Sequence, residues 1–243
     1  MWKIMEDKHF TLIEQLIGEE LPKLTKERLQ NFEQLFKIYN SHTNLVSKND
    51  EKVLFEKHIY DSLCLALFFK KFNINTSAKI LDVGTGGGFP SLPLAIVFPQ
   101  LQIYPLDSIA KKIGFIEFVQ KELRLDNLHT MCKRAEELPQ EMKGYFDVVT
   151  SRAVASLNTL LEYTVPFACS TGFVVAYKSK NADEELQNAK NAISVLKCEA
   201  VQRIKYELPQ IQEHDRELII FKKTGKTPLL YPRKSGQAKK TPL

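Results

Sequence analysis

Four of the chain's 10 glycines fall within Gly84-Thr85-Gly86-Gly87-Gly88, directly after the apolar run Ile80 to Val83 and before a helix-compatible stretch. Such a run reads as a buried parallel strand that empties into a ligand loop. Glycine carries no Cβ to hold a ligand off and reaches φ > 0 without strain, so the backbone can approach a ligand where a helix begins. A plain strand-to-helix turn, using glycine for geometry alone, is the alternative. The spacing narrows the ligand. A dinucleotide fingerprint counted from Gly84 and Gly86 needs its third glycine where Phe89 stands, and counted from Gly86 it needs one where Ser91 stands. No Gly-Lys-Ser/Thr follows, which excludes a Walker A loop.

What remains, Asp82-x-Gly84-x-Gly86-x-Gly88, resembles motif I of the class I S-adenosylmethionine-dependent methyltransferases. That cofactor carries no phosphate; glycines would admit its methionine part, and a later carboxylate would take its ribose hydroxyls. A second apolar run, Leu101 to Leu106, ends at Asp107, 23 residues beyond Gly84. The roughly 20-residue offset of ribose-binding acids in such folds makes Asp107 the expected ribose partner, against the reading that it caps a helix over 108–123. Pro105 cannot donate to a sheet ladder. Pairing is therefore expected to stop at Tyr104, leaving Leu106 and Asp107 in the loop at the carboxyl edge.

The alternation of elements gives the fold class. Apolar residues at Leu29, Phe32, Leu35, Phe36 and Tyr39 line one face at helical spacing, with Thr25 as N-cap, and a second helix is expected from about Glu51 to Phe69. From Ala78 the order is strand 79–83, helix 90–98, strand 101–106, helix 108–123, a short strand at 129–132 and strand 146–150. Then come a helix at 158–163, a turn at Ser170 to Gly172, strand 173–177, a helix over 183–195, and strands 199–207 and 217–222 that could pair antiparallel at the sheet edge. This is an α/β pattern with a mainly parallel, Rossmann-like sheet. The expected domains are a helical cap over 1–77, a class I methyltransferase domain over 78–223 and a basic tail over 224–243.

Charge is unevenly placed. Lys222 to Leu243 holds seven basic residues and no acid, while the remainder carries 27 basic and 29 acidic groups. A Pro-, Gly- and Lys-rich segment of this kind reads as one that tracks a polyanion, or else as a solvated appendage. In the first case its removal is expected to weaken polyanion binding and leave the cofactor site nearly intact. Cys64, Cys132, Cys169 and Cys198 show no metal-ligand spacing, so no metal site and reduced, mostly buried thiols are expected. The apolar runs are too short for a membrane span and the N-terminus lacks the features of a secretory signal, which points to a cytoplasmic protein with no membrane partner; a monomer is expected.

Methyl transfer from a sulfonium demands alignment of donor and acceptor more than a dedicated base. The (Asp/Asn)-Pro-Pro-(Tyr/Phe) motif of exocyclic-amine enzymes is absent; Phe146 to Ala153 stands in its place. That loop also lacks the cysteine nucleophile that cytosine C5 requires. A ring nitrogen such as guanine N7, which already offers a lone pair, fits these absences without being selected by them.

The strings Tyr39 to Ser47, Lys57-His-Ile-Tyr-Asp-Ser-Leu63, Ile80 to Pro90, Leu106-Asp-Ser108, Arg134-Ala-Glu-Glu137, Val149-Thr-Ser-Arg-Ala-Val-Ala155 and Tyr231-Pro-Arg-Lys-Ser-Gly236 resemble the bacterial ribosomal RNA small subunit methyltransferase G family, also called glucose-inhibited division protein B, nearly end to end. The resemblance implies S-adenosyl-L-methionine as cofactor, 16S rRNA in the small ribosomal subunit as partner, and N7 of a guanine in the 530 loop as acceptor. Carried over by position, cofactor contacts fall on Gly84, Phe89, Ala135, Glu136 and Arg152, to which the residue pattern adds Gly86 and Asp107. Ala135 and Glu136 suit an adenine edge. Arg152 and Lys178 are candidates for electrostatic or RNA contact, Arg152 with Asp82, Asp147 or the cofactor carboxylate as its ion-pair partner. His58 and Asp61 share a helix face over the cofactor mouth. This chain departs from the family pattern at Ser179, after Lys178, and at Ser91, where glycine is usual; Ser91 should tighten the helix start. Rival readings are a same-fold methyltransferase acting on a small molecule or protein, and a non-enzymatic RNA-binding module.

Overall fold

The computed structural model describes residues 5–152, 155–211 and 216–243 of the 243-residue chain. Ala153 and Val154 of the motif after the fourth strand lie outside the described residues. Ahead of the sheet run α1 (Asp7–Ile17), α2 (Lys23–Thr43), α3 (Lys48–Lys52), a π-helical turn (Phe55–Tyr60), α4 (Asp61–Leu63) and α5 (Leu65–Phe72). The single helix expected from Glu51 to Phe69 is thus a series of short turns.

Alternation then follows: β1 (Lys79–Val83), α6 (Ser91–Val97), β2 (Gln102–Asp107), α7 (Ala110–Leu123), β3 (Met131–Cys132), a 3-10 turn (Ala135–Glu137), β4 (Phe146–Arg152), α8 (Leu157–Thr164) and β5 (Ala168–Lys178). The chain finishes with α9 (Ala182–Asn188), α10 (Lys190–Leu196), β6 (Cys198–Tyr206), β7 (Arg216–Lys223) and α11 (Gln237–Lys240). The seven strands lie in the order β3-β2-β1-β4-β5-β7-β6. The first five run parallel, and β7 enters antiparallel between β5 and β6. Strand order reverses direction between β1 and β4, and in open α/β sheets ligands bind outside the carboxyl ends at such a point.

Period-two alternation divides the strand side chains between two cores. Ile80, Ile103, Val148 and Val175 face the N-terminal helices with α6 and α7. Leu81, Val149, Val174 and Ala176 face α8 to α10. On the first face Phe36 is fully buried and lies 5.2 Å from Phe89 and 5.6 Å from Phe115, ring to ring. Phe68 of α5 meets Phe173 of β5 edge-on at 5.4 Å. The helices before β1 therefore share their core with the sheet.

Thr25, expected as an N-cap, lies inside α2 behind Pro22, and three further local expectations change. Pro105 sits inside β2 with Asp82 as its neighbour in register, and the strand continues to Asp107. Ile103 exchanges backbone bonds with Asn127 and His129, so its N–H and C=O point away from β1. Pro105, two residues on, directs its nitrogen to that same side. There β3 pairs only with Leu106 and Asp107, and the missing donor costs no ladder bond. The turn expected at Ser170 to Gly172 is a bulged stretch of β5; a Cβ at Gly172 would come within 2.9 Å of Asp147 O and Cys169 N, so only glycine allows this approach. The helix expected over 183–195 breaks at Ala189 (φ −90°, ψ 0°), where the small buried Ala189 and Ala192 sit in the core beside α8.

Phe36→Ala would remove the ring that joins α2 to both Phe89 and α7. A destabilisation of about 3–5 kcal/mol is expected, read from urea unfolding at constant m-value. A loss below about 1 kcal/mol would contradict the shared core.

Candidate active site

The glycine loop is tied to the end of β2. Gly84 N and Thr85 N both donate to Leu106 O, at 2.8 and 3.0 Å, and Gly86 N donates to Asp107 Oδ2 at 3.0 Å. Three successive amides, the groups a phosphate-binding loop would aim at its ligand, are consumed within the protein. Gly84, Gly86 and Gly88 hold φ of 76°, 60° and 89°, in the left-handed region. They differ in what they spare. A Cβ at Gly86 would meet only Gly84 O, at 3.9 Å, so its requirement is conformational; one at Gly88 would come 2.4 Å from Leu92 Cδ1, so that glycine lets α6 pack against the loop.

Asp107 is 8% exposed. Its Oδ1 accepts from Ile109 N at 3.0 Å, and Lys112 Nζ lies 3.6 Å from Oδ2. It thus supports the entry to α7 and the glycine loop together, and still faces a cleft of about 320 Å³. Gly84, Asp107, Ala135 and Glu136 line that cleft together, as do Arg134, Tyr163, Gly236 and Lys239. Burial, and next Glu136, push the Tyr163 phenol up to about 12. Four of the seven expected cofactor residues therefore meet around one cavity, with Gly86 bonded to its rim.

Phe89 and Arg152 stand elsewhere. Phe89 is buried against Phe32, Phe36 and His58. Arg152 ends β4 with its side chain 13% exposed, and the helices before β1 hold it: Nη1 donates to Asp61 Oδ2 at 2.8 Å and to Lys57 O at 2.7 Å, and Nη2 donates to His58 Nδ1 at 2.7 Å. Its ion-pair partner is Asp61, and neither Asp82 nor Asp147; Asp147 instead accepts from Lys79 N. Burial, reinforced by Arg152, lowers the His58 pKa to about 3. The ring is neutral, with Nδ1 as acceptor and the proton on Nε2.

A second cleft of about 400 Å³ opens at the carboxyl ends of β4 and β5, lined by Arg152, Ser156, Tyr177, Lys178 and Arg216. Lys178 Nζ donates to Glu185 Oε2 at 2.6 Å and to Ala155 O at 3.0 Å. The two expected polar contacts thus share one cavity, each neutralised by a carboxylate. Ser91 has a definite part: its Oγ donates to fully buried Asp82 Oδ2 at 2.6 Å and accepts from Thr85 Oγ1 at 3.1 Å.

Sequence reasoning missed Lys112, Arg134, Tyr163, Gly236 and Lys239 as lining residues. Arg134 and Gly236 do fall inside strings that carry the family resemblance, which was the available signal. The tail, read from its composition as tracking a polyanion or as a solvated appendage, folds back on the protein: Arg233 Nη2 donates to buried Glu162 Oε2 at 2.5 Å, and Gly236 N donates to Glu136 Oε1 at 3.2 Å.

The family model for rRNA small subunit methyltransferase G matches residues 25–219. The chain belongs to that family. Ribosomal RNA small subunit methyltransferase G of Streptococcus pyogenes serotype M49 (strain NZ131) is 39% identical over 228 residues, covering 93% of this chain and 94% of that protein. Among solved structures, M. jannaschii TYW2 in complex with AdoMet aligns with TM-score 0.50 at 14% identity, over 61% of this chain and 68% of that one. The [4+2]-cyclase SpnF aligns with TM-score 0.54 at 12% identity, over 67% of this chain and 80% of that one. These two likenesses establish the class I methyltransferase fold, and a cyclase on that fold shows that architecture alone leaves the chemistry open. Family membership supplies what the fold does not: this is an rRNA methyltransferase family. Among the described residues no helix is long and apolar enough to cross a membrane.

Asp82 gives a pH test of the loop. Burial raises its carboxyl from 3.8 to about 7, against the opposing bond from Ser91. Its folded pKa exceeds the unfolded one, so the native state retains a proton that the unfolded chain releases. The contribution to stability is full below 3.8 and is lost as pH rises toward about 7. The stability of wild type minus that of Asp82→Asn should fall across this window in denaturant titrations, and a difference independent of pH would contradict the assignment.

Proposed function

We propose that the chain transfers the methyl group of S-adenosyl-L-methionine to N7 of a guanine in the 530 loop of 16S rRNA. The observation that carries the cofactor half is the loop whose amides are spent on β2. Such a loop is unsuited to a pyrophosphate, yet it leaves left-handed glycines beside a cleft with Asp107 and Glu136 on its wall. When bound, the cofactor supplies an electrophilic methyl group on a sulfonium.

The residues divide the binding work. Asp107 retains lone pairs for ribose hydroxyls beyond those that accept Gly86 N and Ile109 N. The Ala135 amide and the Glu136 carboxylate are suited to the edge of an adenine. Gly84 and Gly86 let the methionine part lie close to the backbone. Phe89 acts from behind the loop, fixing it against Phe32 and Phe36.

The acceptor half rests on family membership and on the second cleft. Guanine N7 attacks through its own lone pair, so alignment and electrostatics suffice. Arg152 and Lys178 already have carboxylate partners and are held as oriented donors at the carboxyl edge. Held this way they can fix an acceptor base or its phosphate without changing their own positions.

The test is to incubate the protein with S-adenosylmethionine and either naked 16S rRNA or assembled small subunits, then map N7-methylguanine by strand cleavage. One new cleavage in the 530 loop is expected, absent without cofactor. Methyl incorporation into protein or small molecules with no N7-methylguanine in either RNA substrate would overturn the proposal.

A further inference from the structure

The C-terminal residues are built into the molecule in a way their composition does not suggest. Thr227 Oγ1 donates to Leu196 O at 3.0 Å and fastens the start of the segment to the end of α10. Arg233 then places three donors on one carboxylate that is 0% exposed: its backbone N and Nε reach Glu162 Oε1, both at 2.9 Å, and Nη2 reaches Oε2 at 2.5 Å. The same guanidinium donates to Thr241 O at 3.0 Å, so Arg233 closes the segment on itself while fastening it to α8. Thr159 Oγ1 donates to Ala238 O at 3.2 Å, and Ala238 is 1% exposed.

This docking delivers the segment to the cofactor cleft. Gly236 and Lys239 line it, and Gly236 N donates to Glu136 Oε1. A buried ion pair is weak evidence for stability, because desolvation offsets the attraction, but its rigid fork fixes geometry. What Arg233 fixes is the position of Gly236 against Glu136.

We propose that residues 231–243 form a wall of the cofactor site and that Arg233 is the positioning residue that holds it there. The proposal rests on S-adenosylmethionine being the cofactor. Glu136 belongs to both partners, since it carries the Gly236 amide and faces the cleft. Docking fixes Glu136 Oε1 at the cleft wall and so pre-orients the carboxylate that the cofactor meets, and by reciprocity the cofactor strengthens docking by the same factor. The expectation that removing the tail spares the cofactor site is reversed.

Two measurements without RNA test this. The first is calorimetric titration of S-adenosylmethionine into wild type, into the chain ended after Lys234, and into Arg233→Lys. Ending the chain after Lys234 keeps the Arg233–Glu162 pair and removes Ser235 to Leu243, with both cleft-lining residues Gly236 and Lys239, so loss of folding is not expected; circular dichroism and thermal melting check this. The truncated protein should bind about tenfold more weakly or worse, and Arg233→Lys, which keeps the charge and loses the fork, should fall between it and wild type. The second is trypsin cleavage of the wild type at the exposed Lys234, Lys239 and Lys240, which saturating cofactor should slow. Wild-type affinity in the folded, truncated protein, or cleavage unaffected by cofactor, overturns this inference and leaves the proposed function standing. A wild type that does not bind S-adenosylmethionine overturns both.

Discussion

Everything at the carboxyl edge of the sheet depends on where the glycine loop spends its amides. In a phosphate-binding loop successive N–H groups converge on the ligand. Here Gly84, Thr85 and Gly86 turn theirs onto Leu106 O and the Asp107 carboxylate, so the loop becomes an extension of the β1–β2 pairing. That choice fixes the cleft beside it. Asp107 cannot move without releasing both Gly86 and the first turn of α7, and the 3-10 turn with Ala135 and Glu136 sits across the same opening. A preorganised wall of this kind loses little conformational freedom when a ligand arrives.

A second joint, at the end of β4, ties the N-terminal helices to the carboxyl edge of the sheet. Asp61 is fully buried and accepts from Arg152 and from Tyr206 Oη, at 2.8 and 2.6 Å. Tyr177 Oη of β5 donates to Ser62 O at 2.8 Å. Removing one member would strand a buried charge or dipole, whereas the whole network is satisfied apart from His58 Nε2. The π-helical turn over Phe55–Tyr60 immediately precedes Asp61 and carries His58, and departures of this kind from α geometry are frequent at functional sites. The helices before β1 are thus a means of holding Arg152 at the second cleft as well as a cover for one sheet face.

The fold class was readable because strand and helix periodicities alternate from Ala78 onward, and because βαβ connections admit one handedness. Gly84, Gly86 and Asp107 could be placed together because they stand at or just past strand ends on one edge, whereas Ala135 and Glu136 were legible only through the family resemblance. Pro105 misled: which side of a strand its nitrogen faces, and whether a neighbour needs that donor, is a property of the assembled sheet. Arg152 was legible as an unusual cation at a strand end, yet its partner Asp61 lies 91 residues earlier and is chosen by packing. Gly236 is 100 residues from Glu136, and a Lys- and Pro-rich composition gives no sign that Glu162 waits for Arg233. Charge density described the tail as solvated or bound to a polyanion; the hydrogen bonds show it docked.

The claim on which the rest turns is that the carboxylate ending β2 belongs to the cofactor site. Calorimetric titration of S-adenosylmethionine into wild type, Asp107→Asn and Asp107→Ala tests it most directly, with folding checked by thermal melting. The account predicts a loss of about 1.5–3 kcal/mol in binding for Asp107→Ala, the range for hydrogen bonds to a charged group, and a smaller loss for Asp107→Asn, which keeps an acceptor oxygen. A folded Asp107→Ala protein that loses less than about 0.5 kcal/mol would contradict it, leaving Asp107 as a support for α7 and the loop alone.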